Sequence, residues 1–192
     1  MKIFFDTEFT GLRQDTTLVS IGLISEDKRK FYAELTDFNW EHVHKDQWLL
    51  ENVVNKLYCR QNDSDKKYMP NYHIGTKSNV ARMLKNWLLQ FDEVQLVSDV
   101  CHYDFVLFIS LFGGAFDLPK NVSPYCYDIN QDIARYYKIS EREAFDKSRE
   151  EILYSKYKEN EISGDKHNAL YDAEVIREVY QIVNGICFDR RA

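Results

Sequence analysis

Ile3-Phe4-Phe5-Asp6-Thr7-Glu8-Phe9-Thr10-Gly11-Leu12 opens the chain with an apolar run that ends in two carboxylates. Three large apolar residues in succession suit a strand buried on both faces. Side chains of a strand alternate, so Asp6 and Glu8 share one face. Bare carboxylates at the end of such a strand are costly to bury and call for a cation, a proton or solvent. Taken alone, Asp-x-Glu is also the ordinary lead into a solvated loop, and the rest of the chain has to decide between the two.

The length of 192 residues fits one domain over 1–192 with a substantial core and would cramp two. With 44% hydrophobic and 29% charged residues but only seven glycines and three prolines, the composition is that of a globular chain and excludes broad disorder. A net charge of -6 argues against a protein that coats nucleic acid through a wide basic surface. It leaves a nuclease open, because metal-binding carboxylates add negative charge that bound cations cancel locally. Cys59, Cys101, Cys126 and Cys187 form no C-x-x-C pair, so free thiols in a reducing cytoplasm are expected. No apolar run is long enough for a membrane span, and no signal peptide is expected.

Working outward from the opening strand, Leu18 to Ile24 and Lys30 to Leu35 read as two further strands around a charged turn. Asp37 to Tyr58 suggests short helical pieces, and Cys59 to Thr76 is the most loop-like stretch. There Lys66, Lys67, Tyr68, Tyr72 and His73 interleave basic and aromatic groups, suited to gripping a single strand or, equally, to a solvated loop or subunit contact. A helix is expected from Lys77 or Ser78 through Phe91, then a short strand at Val94 to Val97 and a helix over His102 to Phe112. After an apolar piece at Tyr125 to Tyr127, helices are expected from Asn130 to Tyr137 and from a Ser140/Glu143 capping box to about Tyr157. A polar loop, Lys158 to Lys166, precedes a last helix over Asn168 to Val183. Strands first and helices later indicate an α/β fold with helices flanking a mixed sheet.

Two more acidic residues fall on apolar faces. Asp104 heads the stripe Leu107, Phe108, Leu111 and Phe112, and Asp172 aligns with Ala169, Ala173, Ile176, Val179 and Val183. Each alone has a structural explanation, a tilted first-turn residue or a buried ion pair. With Asp6 and Glu8 they make four carboxylates of charge about -4, which two divalent ions would cancel in a phosphoryl-transfer site. Oxygen ligands alone suit Mg²⁺ or Mn²⁺. His167 lies five residues before Asp172, about 140° away on a continuous helix. It is therefore expected in the preceding loop, placed to act as general base. His42, His44, His73 and His102 read as surface histidines.

Asp-Thr-Glu-Phe-Thr-Gly-Leu at 6–12, His-Tyr-Asp-Phe-Val-Leu-Phe at 102–108 and His-Asn-Ala-Leu-Tyr-Asp-Ala at 167–173 resemble the three motifs of the DEDDh 3′-5′ exonuclease superfamily. The likeness is greatest to a small bacterial and phage branch typified by a mycobacterial exoribonuclease. It implies a ribonuclease-H-like, mixed five-stranded sheet flanked by helices. Asp6, Glu8, Asp104 and Asp172 would hold two Mg²⁺ or Mn²⁺, with His167 as general base. Thr7, Phe9, Thr10 and Leu12 would line the pocket for the terminal nucleotide. Phe9 stands where relatives more often carry Thr, and Ser98 to His102 departs from the pattern; both bear on substrate choice. The expected activity is release of nucleoside 5′-monophosphates from the 3′ end of single-stranded RNA. Single-stranded DNA is the alternative, and a silent binding module of the same fold the remaining one. The resemblance also suggests a homodimer, to which the loop from Asp63 to His73 would contribute.

Overall fold

The structure, a computed structural model, describes residues 1–61, 69–156, 162 and 164–188. Lys66, Lys67 and Tyr68, most of the 63–73 loop and much of the 158–166 loop therefore lie outside the described residues. Among the described residues six strands form one mixed sheet: β1 (Lys2–Phe9), β2 (Leu18–Ser25), β3 (Lys30–Leu35), β4 (Tyr72–Gly75), β5 (Val94–Ser98) and β6 (Val122–Asp128), in the order β4-β3-β2-β1-β5-β6. The first three are antiparallel neighbours, while β4, β5 and β6 join in parallel. Among the described residues the helices are α1 (Trp40–His44), α2 (Gln47–Asn52), α3 (Lys77–Leu88), α4 (His102–Leu111), α5 (Asn130–Tyr137), α6 (Glu141–Asp146), α7 (Arg149–Lys156) and α8 (Ala169–Asn184).

The expected ribonuclease-H-like sheet is present with one strand more than five. The extra strand, β4, falls within the stretch read as a loop. It is short, sits at the sheet edge and is held by pairing with β3 and by the Tyr72 hydroxyl, which donates to Glu34 at 2.9 Å. The helix expected from Ser140 to about Tyr157 is two helices. The capping box forms, but Lys147 turns extended (φ -75°, ψ 127°) and Ser148 immediately precedes α7, its hydroxyl accepting from Glu151 N.

Alternation along β1 sorts the two layers. Ile3 and Phe5 face α3 and α4, where Phe5 meets Phe108 at 5.7 Å, and Phe4 faces α8, meeting Tyr180 at 5.2 Å. Burying an aromatic of this size contributes about 1.5–3 kcal/mol, so these phenylalanines anchor β1 at the sheet centre. By the same alternation Asp6 and Glu8 project toward the α8 layer and Thr7 toward α4. Beyond Phe4, β1 continues to pair with β2 but its pairing with β5 stops at Phe4↔Val97. A cleft opens there, beside the carboxyl ends of two parallel strands, the usual place for a ligand in such sheets.

Candidate active site

Asp6 and Glu8 come to the cleft on β1, Asp104 from the first turn of α4, and Asp172 from the first turn of α8. They line an open cavity of about 690 Å³ together with Thr7, Phe9, Asp99, Arg149 and His167. Among the described residues none of the four carboxylates has a Lys or Arg ion-pair partner, and Asp6 and Glu8 have no hydrogen-bond partner either. Burial, followed by the charges of Asp104, Asp172, Glu8 and Asp99, holds the Asp6 carboxyl well above the ordinary range. Burial, then Asp172 and Asp104, does the same to Glu8. Asp104 is pushed up to about 6 and Asp172 to about 7, in both cases chiefly by burial. Such a set of concentrated negative charge fits oxygen-ligated divalent cations.

The two aspartates from helices are fastened from the backbone. Thr7 donates both its N–H, at 3.0 Å, and its hydroxyl to Asp104 Oδ1, a link that crosses from β1 to α4. His167 N–H donates to Asp172 Oδ2 at 2.9 Å. His167 has φ 65°, a left-handed conformation that ends the preceding loop and turns its ring out of the helix. It thus sits where the spacing placed it, before α8. Asn168 caps α8 through Leu170 N and Tyr171 N, and its Nδ2 donates to the Tyr32 hydroxyl at 3.2 Å and to Lys56 O at 3.3 Å. One ligand atom each of Glu8, His167 and Asp172 lie within 4.8 Å of one another. Burial, aided by Lys166 and Lys56, lowers the His167 pKa, which favours a neutral ring able to take a proton. Trp48 meets that ring edge-on at 5.0 Å.

Of the pocket residues expected from the sequence, Thr7 and Phe9 line the cavity, and Phe9 stacks on Tyr103 at 5.6 Å with an interplanar angle of 16°. Thr10 is fully buried. Its hydroxyl is engaged by Thr17 N at 2.9 Å and His42 Nδ1 at 3.1 Å, so it shapes the 10–17 loop from within. Leu12 is 77% exposed within that loop, outside the cavity wall. His42, read as a surface histidine, is instead buried in α1 because it bridges Thr10 and Asn39.

Sequence reasoning passed over Gly22, Asn168 and the Asp99–Arg149 pair. Gly22 did carry a signal, since a glycine inside a strand marks close backbone approach. Asn168 carried one as well, an N-cap residue immediately before an apolar helix. Asp99 and Arg149, 50 residues apart, carried none.

Comparison with known proteins gives a consistent picture. The family described as the 3′-5′ exoribonuclease Rv2179c-like domain matches residues 1–183. Two Mycobacterium tuberculosis proteins, the 3′-5′ exoribonuclease Rv2179c of strain ATCC 25618 / H37Rv and the 3′-5′ exoribonuclease MT2234.1 of strain CDC 1551 / Oshkosh, are each 28% identical over 134 residues, 68% of this chain and 73% of the relative. Among solved structures, the nuclease domain of 3′hExo, a DEDDh family member bound to rAMP, superposes with a TM-score of 0.56 at 12% identity, covering 96% of this chain and 92% of that one. The 3′-exonuclease solved for 3′-end specific recognition of histone mRNA stem-loop gives 0.54 at 11% identity, covering 96% of this chain and 64% of that one. At these identities the structural likeness speaks for the fold.

Proposed function

Since the chain belongs to the family of the 3′-5′ exoribonuclease Rv2179c-like domain and is a DEDDh-type 3′-5′ exonuclease, we propose that it shortens single-stranded RNA from the 3′ end, releasing nucleoside 5′-monophosphates. The observation that carries this reading is the set of four carboxylates with no Lys or Arg ion pair among the described residues, beside a histidine of lowered pKa. RNA is preferred over DNA because the family description and the two mycobacterial relatives name exoribonucleases.

In this reading Asp6, Glu8, Asp104 and Asp172 hold two Mg²⁺, or Mn²⁺ in their place. When bound, these ions supply Lewis-acid stabilisation of the charge that builds on the attacking and leaving oxygens. The protein's own groups do the remainder. His167, neutral near pH 7, accepts the proton of the attacking water. Thr7 fixes the Asp104 carboxylate from behind, and the stacked Phe9–Tyr103 pair gives the terminal nucleotide an apolar wall. Leu12, exposed on the loop that Thr10 and His42 brace, would meet the terminal base from outside the cavity wall.

The proposal takes residues 1–192 as one catalytic domain acting in the cytoplasm as a homodimer. The cysteines are free, and no helix among the described residues is long and apolar enough to cross a membrane. Light scattering on purified protein tests the dimer. Labelled single-stranded RNA and DNA of one sequence, digested with Mg²⁺ or Mn²⁺, test the rest. Stepwise 3′ shortening of RNA is expected; faster loss of DNA would replace the substrate, and inactivity on both would leave the silent binding module.

A further inference from the structure

A second charged assembly stands at the wall of the same cleft, and its geometry is unlike that of a substrate contact. The Arg149 guanidinium has five N–H donors. Nε goes to Asp99 Oδ2; Nη2 goes to Asp99 Oδ1 and to Asn130 Oδ1, each at 2.7 Å; Nη1 goes to Ala144 O, at 2.8 Å, and to Lys147 O. Every donor is spent on the protein, which leaves none for a phosphate. The pair is well enclosed, with side-chain exposures of 12% for Arg149 and 20% for Asp99.

Asp99 is the partner that makes this arrangement matter. It lines the cavity with the four carboxylates and lies near enough for its charge to be felt at Asp6, Asp104 and Asp172. It is also fixed in place by a closed ring of bonds. Asn130 Nδ2 donates to Asp99 Oδ1 and to Asp128 Oδ1, both at 2.8 Å, and Asp128 Oδ2 accepts Cys101 N at 3.2 Å. Between those two anchors Val100 adopts φ 53°, costly for a β-branched residue and tolerated only where the surroundings enforce it. Asp104 follows in the first turn of α4.

We propose that Arg149 is a positioning residue that keeps Asp99 out of the metal-ligand set, so that four carboxylates and not five face the cations. The inference rests on the metal-dependent reading of the cleft given above. A fifth free carboxylate would draw divalent ions more strongly and hold them away from the productive arrangement. Arg149 answers its charge and turns both its oxygens toward the α6–α7 junction.

The test is a charge cycle of three variants, read by calorimetric Mn²⁺ binding and by kcat and KM on single-stranded RNA. Arg149→Met frees Asp99 and is expected to tighten Mn²⁺ binding by about threefold or more while kcat falls about tenfold and KM stays level. Asp99→Asn leaves the arginine unanswered and is expected to weaken Mn²⁺ binding by a similar factor. The double variant is expected to return near the wild-type affinity. Mn²⁺ binding weakened in all three would make the network a structural pin and overturn the proposal. A raised KM at constant kcat would make Arg149 a substrate contact and overturn it equally. Should Arg149→Met lack a folded circular-dichroism spectrum, Arg149→Gln and Asp99→Asn are read for the same opposite signs. Wild-type protein that binds no Mn²⁺ and degrades no strand would instead remove the functional reading on which the inference stands.

Discussion

Gly22 lies directly opposite Asp6 in the β1–β2 ladder, and the start of α8 rests on it: a Cβ there would come within 2.3 Å of Leu170 N and 2.4 Å of Ala169 C and O. Residues opposed across an antiparallel pair face the same way, so the absence of a side chain at Gly22 is what lets α8 bring Asp172 down beside Asp6. Gly22→Ala must push backbone against backbone. It is expected to lose about 1–3 kcal/mol of stability and to depress kcat more than KM, because the carboxylates separate. Thermal unfolding and steady-state kinetics check it, and an alanine variant with wild-type melting and turnover would refute the close approach.

The raised pKa values make a prediction for the metal-free protein. A carboxyl whose folded pKa lies above its unfolded value binds protons more tightly when folded, so its contribution favours folding at low pH and is lost as pH rises through the folded value. For Asp104 the window runs from the ordinary 3.8 to about 6, and for Asp172 from 3.8 to about 7; Asp6 and Glu8 act in the same direction. Chelated protein is expected to melt at a lower temperature at pH 8 than at pH 5.5, and saturating Mg²⁺ to abolish most of the difference. Melting curves with EDTA or Mg²⁺ at the two pH values measure it; a metal-free protein more stable at pH 8 would contradict the charge crowding.

The elements that bring the site together were legible because each carries its acid on an otherwise apolar stripe. Asp104 ahead of Leu107 and Phe108, and Asp172 among Ala169, Ala173 and Ile176, could not be solvated without exposing those neighbours. The structure places both at the cleft with Asp6 and Glu8. The non-helical position of His167 followed from angular spacing alone. Strand β4 was hidden because an edge strand of four residues pairs along one side and shows no periodicity. Other features were hidden because only tertiary contact creates them. Nothing local to Arg149 announces Asp99, and nothing near His42 announces that Thr10 is its partner.

Asp104→Asn separates folding from chemistry. Asparagine still offers Thr7 an acceptor oxygen, so the β1–α4 link survives while a buried charge is removed. The metal-free variant is expected to melt at or about 2–4 °C above the wild type, roughly 1 kcal/mol for a chain of this size, and to lose Mn²⁺ affinity and turnover. Calorimetry and differential scanning fluorimetry on the same preparation decide the matter; retained Mn²⁺ binding would remove Asp104 from the ligand set.

Thr7→Val takes away one of the two bonds that Asp104 Oδ1 receives and keeps the volume of the side chain. Both Thr7 bonds lower the Asp104 pKa against the larger effect of burial, so the variant is expected to titrate higher. Since a ligand must be deprotonated to bind, Mn²⁺ affinity should fall more at pH 6 than at pH 8. Binding isotherms at the two values give the comparison, and an equal loss at both would mean that the hydroxyl serves position alone.

His167 lies close enough to Glu8 and Asp172 to share a cation with them, within 4.8 Å, and yet its lowered pKa suits a base. The two roles separate cleanly. As a base it must be neutral, so activity should rise with pH through a value below 6.5 and level off above it; burial above all, with the charges of Lys166 and Lys56, sets that direction. His167→Ala is then expected to lower kcat by about 10²–10⁴, to flatten the acidic limb of the profile, and to leave Mn²⁺ affinity near the wild-type value. Trp48→Ala, which removes the ring packed edge-on against His167, should give a smaller loss in kcat with the acidic limb retained. Loss of Mn²⁺ binding in His167→Ala would make the imidazole a ligand and leave the proton to another acceptor.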